Sequence, residues 1–173
     1  WLSEGLAHYY GLLYAPFILH EEGPFLERLR AWREQIVEAR QYAFGSGPAV
    51  GSIWMGYRAS SSKTPNDHLL LAYKKGAWII HMLRMMMLDL TSFKEDAFKA
   101  MMADFYQSFK DRDPSSTDFM HIVEKYFRVK MDWFFDQWIY RSAIPIYRWK
   151  YQSRQIPDSG WAVTISATQT GVP

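Results

Sequence analysis

The amino-acid sequence predicts a mainly α-helical fold that ends in a short β segment, and three observations support this. Apolar residues recur every three or four positions over most of residues 2–139, which is the period of a helix with one buried face. Ser, Thr or Asp stands before several of these runs, as is typical of helix N-termini. After Pro145 the apolar period falls to two, which is the period of a β-strand.

The first two helices are predicted over residues 2–14 and 25–44. The apolar stripe of the first helix consists of Leu2, Leu6, Tyr9 and Leu13. Residues 45–65 are rich in Gly and Ser and contain two Pro, and they are predicted to form a long loop. Such loops are usually functional or mobile, so this one is expected either to border a substrate cleft or to be a plain connection.

The third helix has a clear start signal, with Thr64 as the N-cap and Pro65 at the first helical position. Its predicted buried face carries Leu69, Tyr73, Gly76, Ile80, Leu83 and Met87. A glycine inside a helix costs about 1 kcal/mol relative to alanine. Gly76 therefore indicates that another backbone approaches this helix closely.

Three more helices follow, each with an amphipathic pattern. Their predicted buried residues are Phe98, Met101, Met102, Phe105 and Phe109 in the fourth helix, Met120, Val123 and Phe127 in the fifth, and Phe135, Trp138 and Ile139 in the sixth. Their predicted N-caps are Ser92 in a capping box with Glu95, then Ser116 or Thr117, and then Asp132.

A β-hairpin is predicted at the end of the chain. Residues 146–151 and 161–165 alternate with a period of two, and the turn-forming residues 157–160 separate them. The sequence therefore predicts two parts, a helical part at residues 1–145 and a hairpin at residues 146–173 that begins a following β domain.

Composition excludes several classes of function. The net charge is only +2, and basic residues are scattered among acidic ones, so no basic face for nucleic acid is expected. The chain has no Cys, so any metal must be held by His and carboxylates. No apolar run approaches the length of a membrane span. The chain begins at Trp1 rather than Met, so we expect earlier residues, and neither compartment nor oligomeric state can be read.

Two residues are candidates for chemistry. Glu4 lies opposite the apolar stripe of the first helix, on a face shared with His8, and its simplest interpretation is a solvated carboxylate in the first turn. Glu4 and His8 are one turn apart and together would make only part of a metal site. Tyr73 lies on an apolar helix face, where a buried tyrosine is the ordinary interpretation.

Three segments match motifs that occur in the same order in one enzyme family. Residues 1–7 read Trp-Leu-Ser-Glu-Gly-Leu-Ala and resemble a Trp-Leu-Asn-Glu-Gly-Phe-Ala motif. Residues 73–84 resemble a Tyr-x-Lys-Gly-Ala…Met-Leu-Arg helix, and residues 133–145 resemble a Phe-Phe-x-x-Trp…Gly-x-Pro segment. The family is that of the M1 zinc aminopeptidases, which are gluzincins, and the resemblance covers nearly all of residues 1–145.

This resemblance implies a fold and an activity. Residues 1–145 would be the later helical part of a thermolysin-like M1 catalytic domain, from a protein that uses zinc to remove N-terminal residues from peptide substrates. By the same resemblance, Glu4 would be the third zinc ligand. Tyr73 would donate a hydrogen bond to the oxyanion that develops on the scissile carbonyl.

The chain also departs from the family pattern. Ser3 replaces a frequent Asn, and Ser142-Ala143 stands where a Gly is common. More seriously, the five histidines include no His-x-x-x-His pair, so the HExxH helix with two zinc ligands and the general base is not in these residues. The amine-binding Gly-x-Met-Glu-Asn motif is also missing. We therefore expect this chain alone to be inactive. The alternative is a non-catalytic M1-like scaffold or protein-interaction module.

Overall fold

The computed structural model describes residues 1–19, 24–42, 51–62, 65–157 and 160–171. Within these ranges the chain is mainly helical, with a two-stranded antiparallel sheet near the C-terminus. The chain divides into two compact units, Trp1–Ser142 and Ala143–Pro173. Of the helices in the described ranges, none has both the length and the apolar character needed to cross a membrane.

In the described ranges, the helical unit consists of seven α-helical segments, one 3₁₀ helix and two π-helical segments. The segments are α1 (Leu2–Leu19), α2 (Pro24–Tyr42), a 3₁₀ helix (Ile53–Ala59), α3 (Asp67–Leu69), a π-helical segment (Leu70–Lys75), α4 (Gly76–Met86), α5 (Asp96–Phe109), α6 (Ser116–Phe127), α7 (Asp132–Phe135) and a second π-helical segment (Asp136–Tyr140). The 3₁₀ helix lies inside the predicted loop 45–65. The predicted N-cap Thr64 lies outside the described residues.

One hydrophobic core holds this unit together, and the predicted apolar faces supply much of it. Tyr9 of α1, Leu83 of α4, Met101 of α5, Val123 of α6 and Phe135 of α7 are all fully buried. Burial of such side chains contributes about 1.5–3 kcal/mol each. The packing of these faces therefore fixes the positions of α1 and α4, which carry the candidate residues.

The π-helical segment before α4 changes which side chains are buried. A strict helical period predicts that Leu69 is buried, but Leu69 is 53% exposed. Leu71, Ala72 and Lys75 are buried instead. A π-helical turn holds more residues than an α-helical turn, so the residues before it are rotated relative to those after it.

Three of the predicted N-caps are wrong. The helix α6 begins one residue earlier than predicted, because Ser115 and Asp118 form the capping box. The helix α5 begins after Glu95, which has no capping role because its carboxylate binds Arg84. Asp132 is the first residue of α7 rather than its cap.

The C-terminal unit is a long hairpin without a buried face. The strands β1 (Ile146–Ile156) and β2 (Gly160–Thr170) pair in register from Ile146 opposite Thr170 to Ile156 opposite Gly160. All of their residues are exposed except Ala162, which is partly buried. A two-stranded hairpin is at best marginally stable in water, and its place at the start of a further β domain stays a prediction.

Candidate functional site

A contact between two glycines sets the position of the candidate residues. The helices α1 and α4 meet at Gly5 and Gly76, which are both buried. A Cβ atom added to Gly5 would lie 2.8 Å from the carbonyl carbon of Gly76, and one added to Gly76 would lie 3.0 Å from the Gly5 Cα. Only glycine leaves room for this contact. The close backbone approach that Gly76 indicates is therefore present, and its partner is Gly5.

Glu4 lies next to this crossing and is held as an ionised carboxylate. Its side chain is 29% exposed, and its Oε2 accepts a hydrogen bond of 2.8 Å from Ser3 Oγ. The pKa of Glu4 is lowered, mainly by the hydrogen bond from Ser3, while partial burial opposes the shift. The carboxylate is therefore charged at neutral pH, in the form that binds a metal.

Tyr73 lies in the π-helical segment, three residues before Gly76. It is partly buried rather than a core residue. Two rings contact it, His8 edge-on at 5.7 Å and His68 edge-on at 6.3 Å between centroids. No group in the described part of the chain forms a hydrogen bond with its hydroxyl. The phenol is thus fixed in direction by its neighbours while its hydroxyl stays available.

His8 lies in α1 one turn after Glu4, and its ring contacts the ring of Tyr73. It follows Glu4 by one helical turn, so both side chains lie on the same face of α1. Its ring stacks on Trp32 at 4.5 Å between centroids and also makes the edge-on contact with Tyr73. Burial, followed by the nearby charges of Lys74 and Arg28, lowers the pKa of His8. A neutral imidazole therefore separates the Glu4 turn from the Tyr73 ring.

Sequence reasoning missed His68 and its contact with Tyr57. His68 is 8% exposed, and its ring stacks on Tyr57 at 4.0 Å. Its Nδ1 is buried and has no hydrogen-bond partner in the described part of the chain. Tyr57 belongs to residues 45–65, which were predicted either to border a cleft or to form a plain connection, and these two alternatives stay open. The burial of His68 follows from the π-helical segment, which the apolar period does not reveal.

The second histidine of this long helical stretch has a different environment. His81 Nδ1 lies 3.1 Å from the hydroxyl of Tyr9, which accepts a hydrogen bond of 2.9 Å from Arg84 Nη1. Arg84 also forms an ion pair with Glu95. This network joins α1, α4 and the start of α5, and it is a structural feature of the core.

A complete zinc site is not formed by the described residues alone. They contain no group of three or more His, Cys, Asp or Glu side chains that could hold a metal ion. Zinc in a catalytic site takes three protein ligands and an open position. The role of Glu4 as a zinc ligand therefore stays a prediction.

No protein-family model matches this sequence, and no curated protein matches it significantly.

Proposed function

We propose that this chain supplies the later helical part of a thermolysin-like catalytic domain in an M1-type zinc aminopeptidase, which hydrolyses N-terminal peptide bonds with metal-activated water. The observation that supports this best is the contact between Gly5 and Gly76. Gly5 follows Glu4 directly and Gly76 lies three residues after Tyr73, and His8, one helical turn after Glu4, contacts the Tyr73 ring.

In this proposal Glu4 is the third zinc ligand. Its carboxylate is ionised, partly exposed and held in place by Ser3. Bound zinc would lower the pKa of a water molecule and polarise the scissile carbonyl. The two histidine ligands and the general base would come from an HExxH helix outside these 173 residues.

Tyr73 would steady the oxyanion that forms on the carbonyl. The edge-on rings of His8 and His68 restrict its phenol, so the hydroxyl is oriented before substrate arrives. A preoriented donor of this kind lowers the barrier by about 3–4 kcal/mol. A π-helical turn at this residue agrees with such a role, since π-bulges are frequent at functional sites.

The first test uses the purified 173-residue chain. We expect no stoichiometric zinc after dialysis and no hydrolysis of an aminoacyl-arylamide, because one ligand does not hold zinc. Zinc content is measured by atomic emission and turnover by arylamine release. One zinc per chain, with turnover that Glu4→Gln abolishes, would contradict the assignment of the remaining ligands to another segment.

The second test is to read the gene upstream of the Trp1 codon. An HExxH motif there would support the aminopeptidase. Degenerate residues in its place would contradict the proposal and favour the non-catalytic scaffold, which needs neither Glu4 nor Tyr73 for chemistry.

A further inference from the structure

A second polar group of the π-helical segment, Lys75, lies in an unusual environment. Lys75 is 4% exposed, and it shares its buried side with Leu71 and Ala72. Lysine is almost never buried to this extent without a partner, because removing an ammonium group from water is costly. A buried ammonium group such as that of Lys75 therefore requires an opposite charge or a hydrogen-bond acceptor nearby.

No carboxylate in the described part of the chain compensates this charge. The neighbouring Lys74 donates to Gln35, and the partly buried cation of α4, Arg84, is paired with Glu95. Lys75 takes part in none of the ion pairs between described residues. Burial lowers the pKa of Lys75 to about 8.

The ammonium group is nevertheless within reach from outside. Among the described residues, His68 Nδ1 and Arg84 Nε are the polar side-chain atoms that are fully enclosed and have no hydrogen-bond partner. Lys75 Nζ also lacks a partner among these residues but does not belong to this group, so it is not fully enclosed. The apolar part of the Lys75 side chain is therefore buried while its nitrogen keeps a small contact with solvent, as long cationic side chains often do.

We propose that Lys75 is a binding site for a carboxylate, supplied by an Asp or Glu side chain of a polypeptide segment that is not among these 173 residues. The charge complementarity is direct, because a buried cation without an acceptor gains most from an incoming anion in a site of low polarity. Neither zinc nor Tyr73 takes part in this contact. It therefore holds or fails independently of the aminopeptidase proposal.

The test measures thermal unfolding of the chain at pH 7 with three additives of equal ionic strength. The additives are sodium chloride, sodium acetate and the sodium salt of N-acetyl-glutamate N-methylamide. We expect both carboxylates to raise the Tm by about 2 °C or more relative to chloride, because they bind only the folded state. Lys75→Met should remove this difference, whereas Lys74→Met, at the partly buried neighbouring position, should keep it.

Three results would overturn the proposal. The first is an equal Tm in all three salts, and the second is a carboxylate effect that persists in Lys75→Met. The third is stabilisation by acetate without stabilisation by the capped glutamate, which would indicate a small-anion site only. If Lys75→Met does not fold, the Lys75 ¹⁵Nζ signal of the unaltered chain is titrated instead. The carboxylates should then raise its pKa, and an unchanged pKa would reject the site.

Discussion

The two halves of the helical stretch from Asp67 to Met86 differ in how many of their polar side chains lack a hydrogen-bond partner among the described residues. In the π half (Asp67–Lys75), the Nδ1 of His68, the hydroxyl of Tyr73 and the ammonium of Lys75 have no hydrogen-bond partner among the described residues. In the α half (Gly76–Met86), His81 and the two terminal nitrogens of Arg84 are bonded to Tyr9 and Glu95, and Arg84 Nε is the described atom of this half that is buried without a partner.

This difference separates structural groups from candidate functional ones. Buried polar groups in folded proteins are nearly always hydrogen-bonded, and each exception calls for an explanation. Unsatisfied polar groups are one feature of functional sites. The α half therefore stabilises the packing of α1 on α4, and the π half holds groups that are available to a substrate or a partner.

The largest effect is expected at the crossing that holds the two halves against α1. Gly5→Ala would place a Cβ 2.8 Å from the backbone of Gly76. Relieving this clash requires a shift of one of the two helix backbones, which costs more than the movement of a flexible side chain. We expect a loss of about 4 kcal/mol or more in the free energy of unfolding, measured by urea denaturation. The matched control is Gly11→Ala in the same helix, where a Cβ meets nothing within 4 Å. It should gain about 0.5–1 kcal/mol, and equal losses in both variants would refute the crossing.

The next effect concerns the paired cation of the α half. Arg84→Met would leave the Glu95 carboxylate and the Tyr9 hydroxyl without their donor. Because both groups are largely buried, we expect a loss of about 3 kcal/mol in the free energy of unfolding at pH 7. An unchanged free energy of unfolding in the same urea assay would show that the Arg84 interactions do not stabilise the α half.

Replacing the unpaired cation of the π half, Lys75, should change the free energy of unfolding in the opposite direction to Arg84→Met. Lys75 has a pKa of about 8 when folded, against a usual value of 10.5. The unfolded chain therefore binds more protons between these pH values, and stability should rise with pH across this window, by about 3 kcal/mol at most. Below pH 8 the full penalty is present, so Lys75→Met should stabilise the chain at pH 7 and remove the rise. Destabilisation by Lys75→Met would contradict the assignment of Lys75 as unpaired.

The smallest effect distinguishes two tyrosines. Tyr9→Phe removes a hydroxyl that bridges Arg84 and His81, and it should cost about 1–2 kcal/mol. Tyr73→Phe removes a hydroxyl that bonds to no described residue, and its effect on the free energy of unfolding should stay within about 0.5 kcal/mol. A cost at Tyr73 similar to that at Tyr9 would indicate a structural bond and weaken its proposed catalytic role.

Much of this arrangement could be predicted from particular residues. The apolar faces through Met101 and Phe105 of α5 and Val123 of α6 pack inward as predicted, because hydrophobic burial follows the helical period. Gly76 indicated a close backbone approach, because a glycine is otherwise unfavourable inside a helix. Sequence alone did not show that Gly5 is the partner, since this contact lies between distant parts of the chain.

The remainder depends on interactions that a local pattern does not contain. The sequence predicts a capping box between Ser92 and Glu95. In the structure, Glu95 instead forms an ion pair with Arg84, and Ser92 donates its hydrogen bond to Asp89. The π-helical segment has no sequence signal of its own. Its extra residue per turn buries His68 and Lys75, which a period of 3.6 residues does not predict.

The central claim is that Glu4 and Tyr73 belong to one aminopeptidase site, and one comparison tests it most directly. It uses the longer protein that the gene encodes if HExxH precedes Trp1, and it measures zinc content and kcat for an aminoacyl-arylamide. We predict that Glu4→Gln loses most of its zinc, whereas Tyr73→Phe keeps its zinc and loses kcat by about 10²–10³-fold. Full zinc content in Glu4→Gln, or an unchanged kcat in Tyr73→Phe, would contradict the claim.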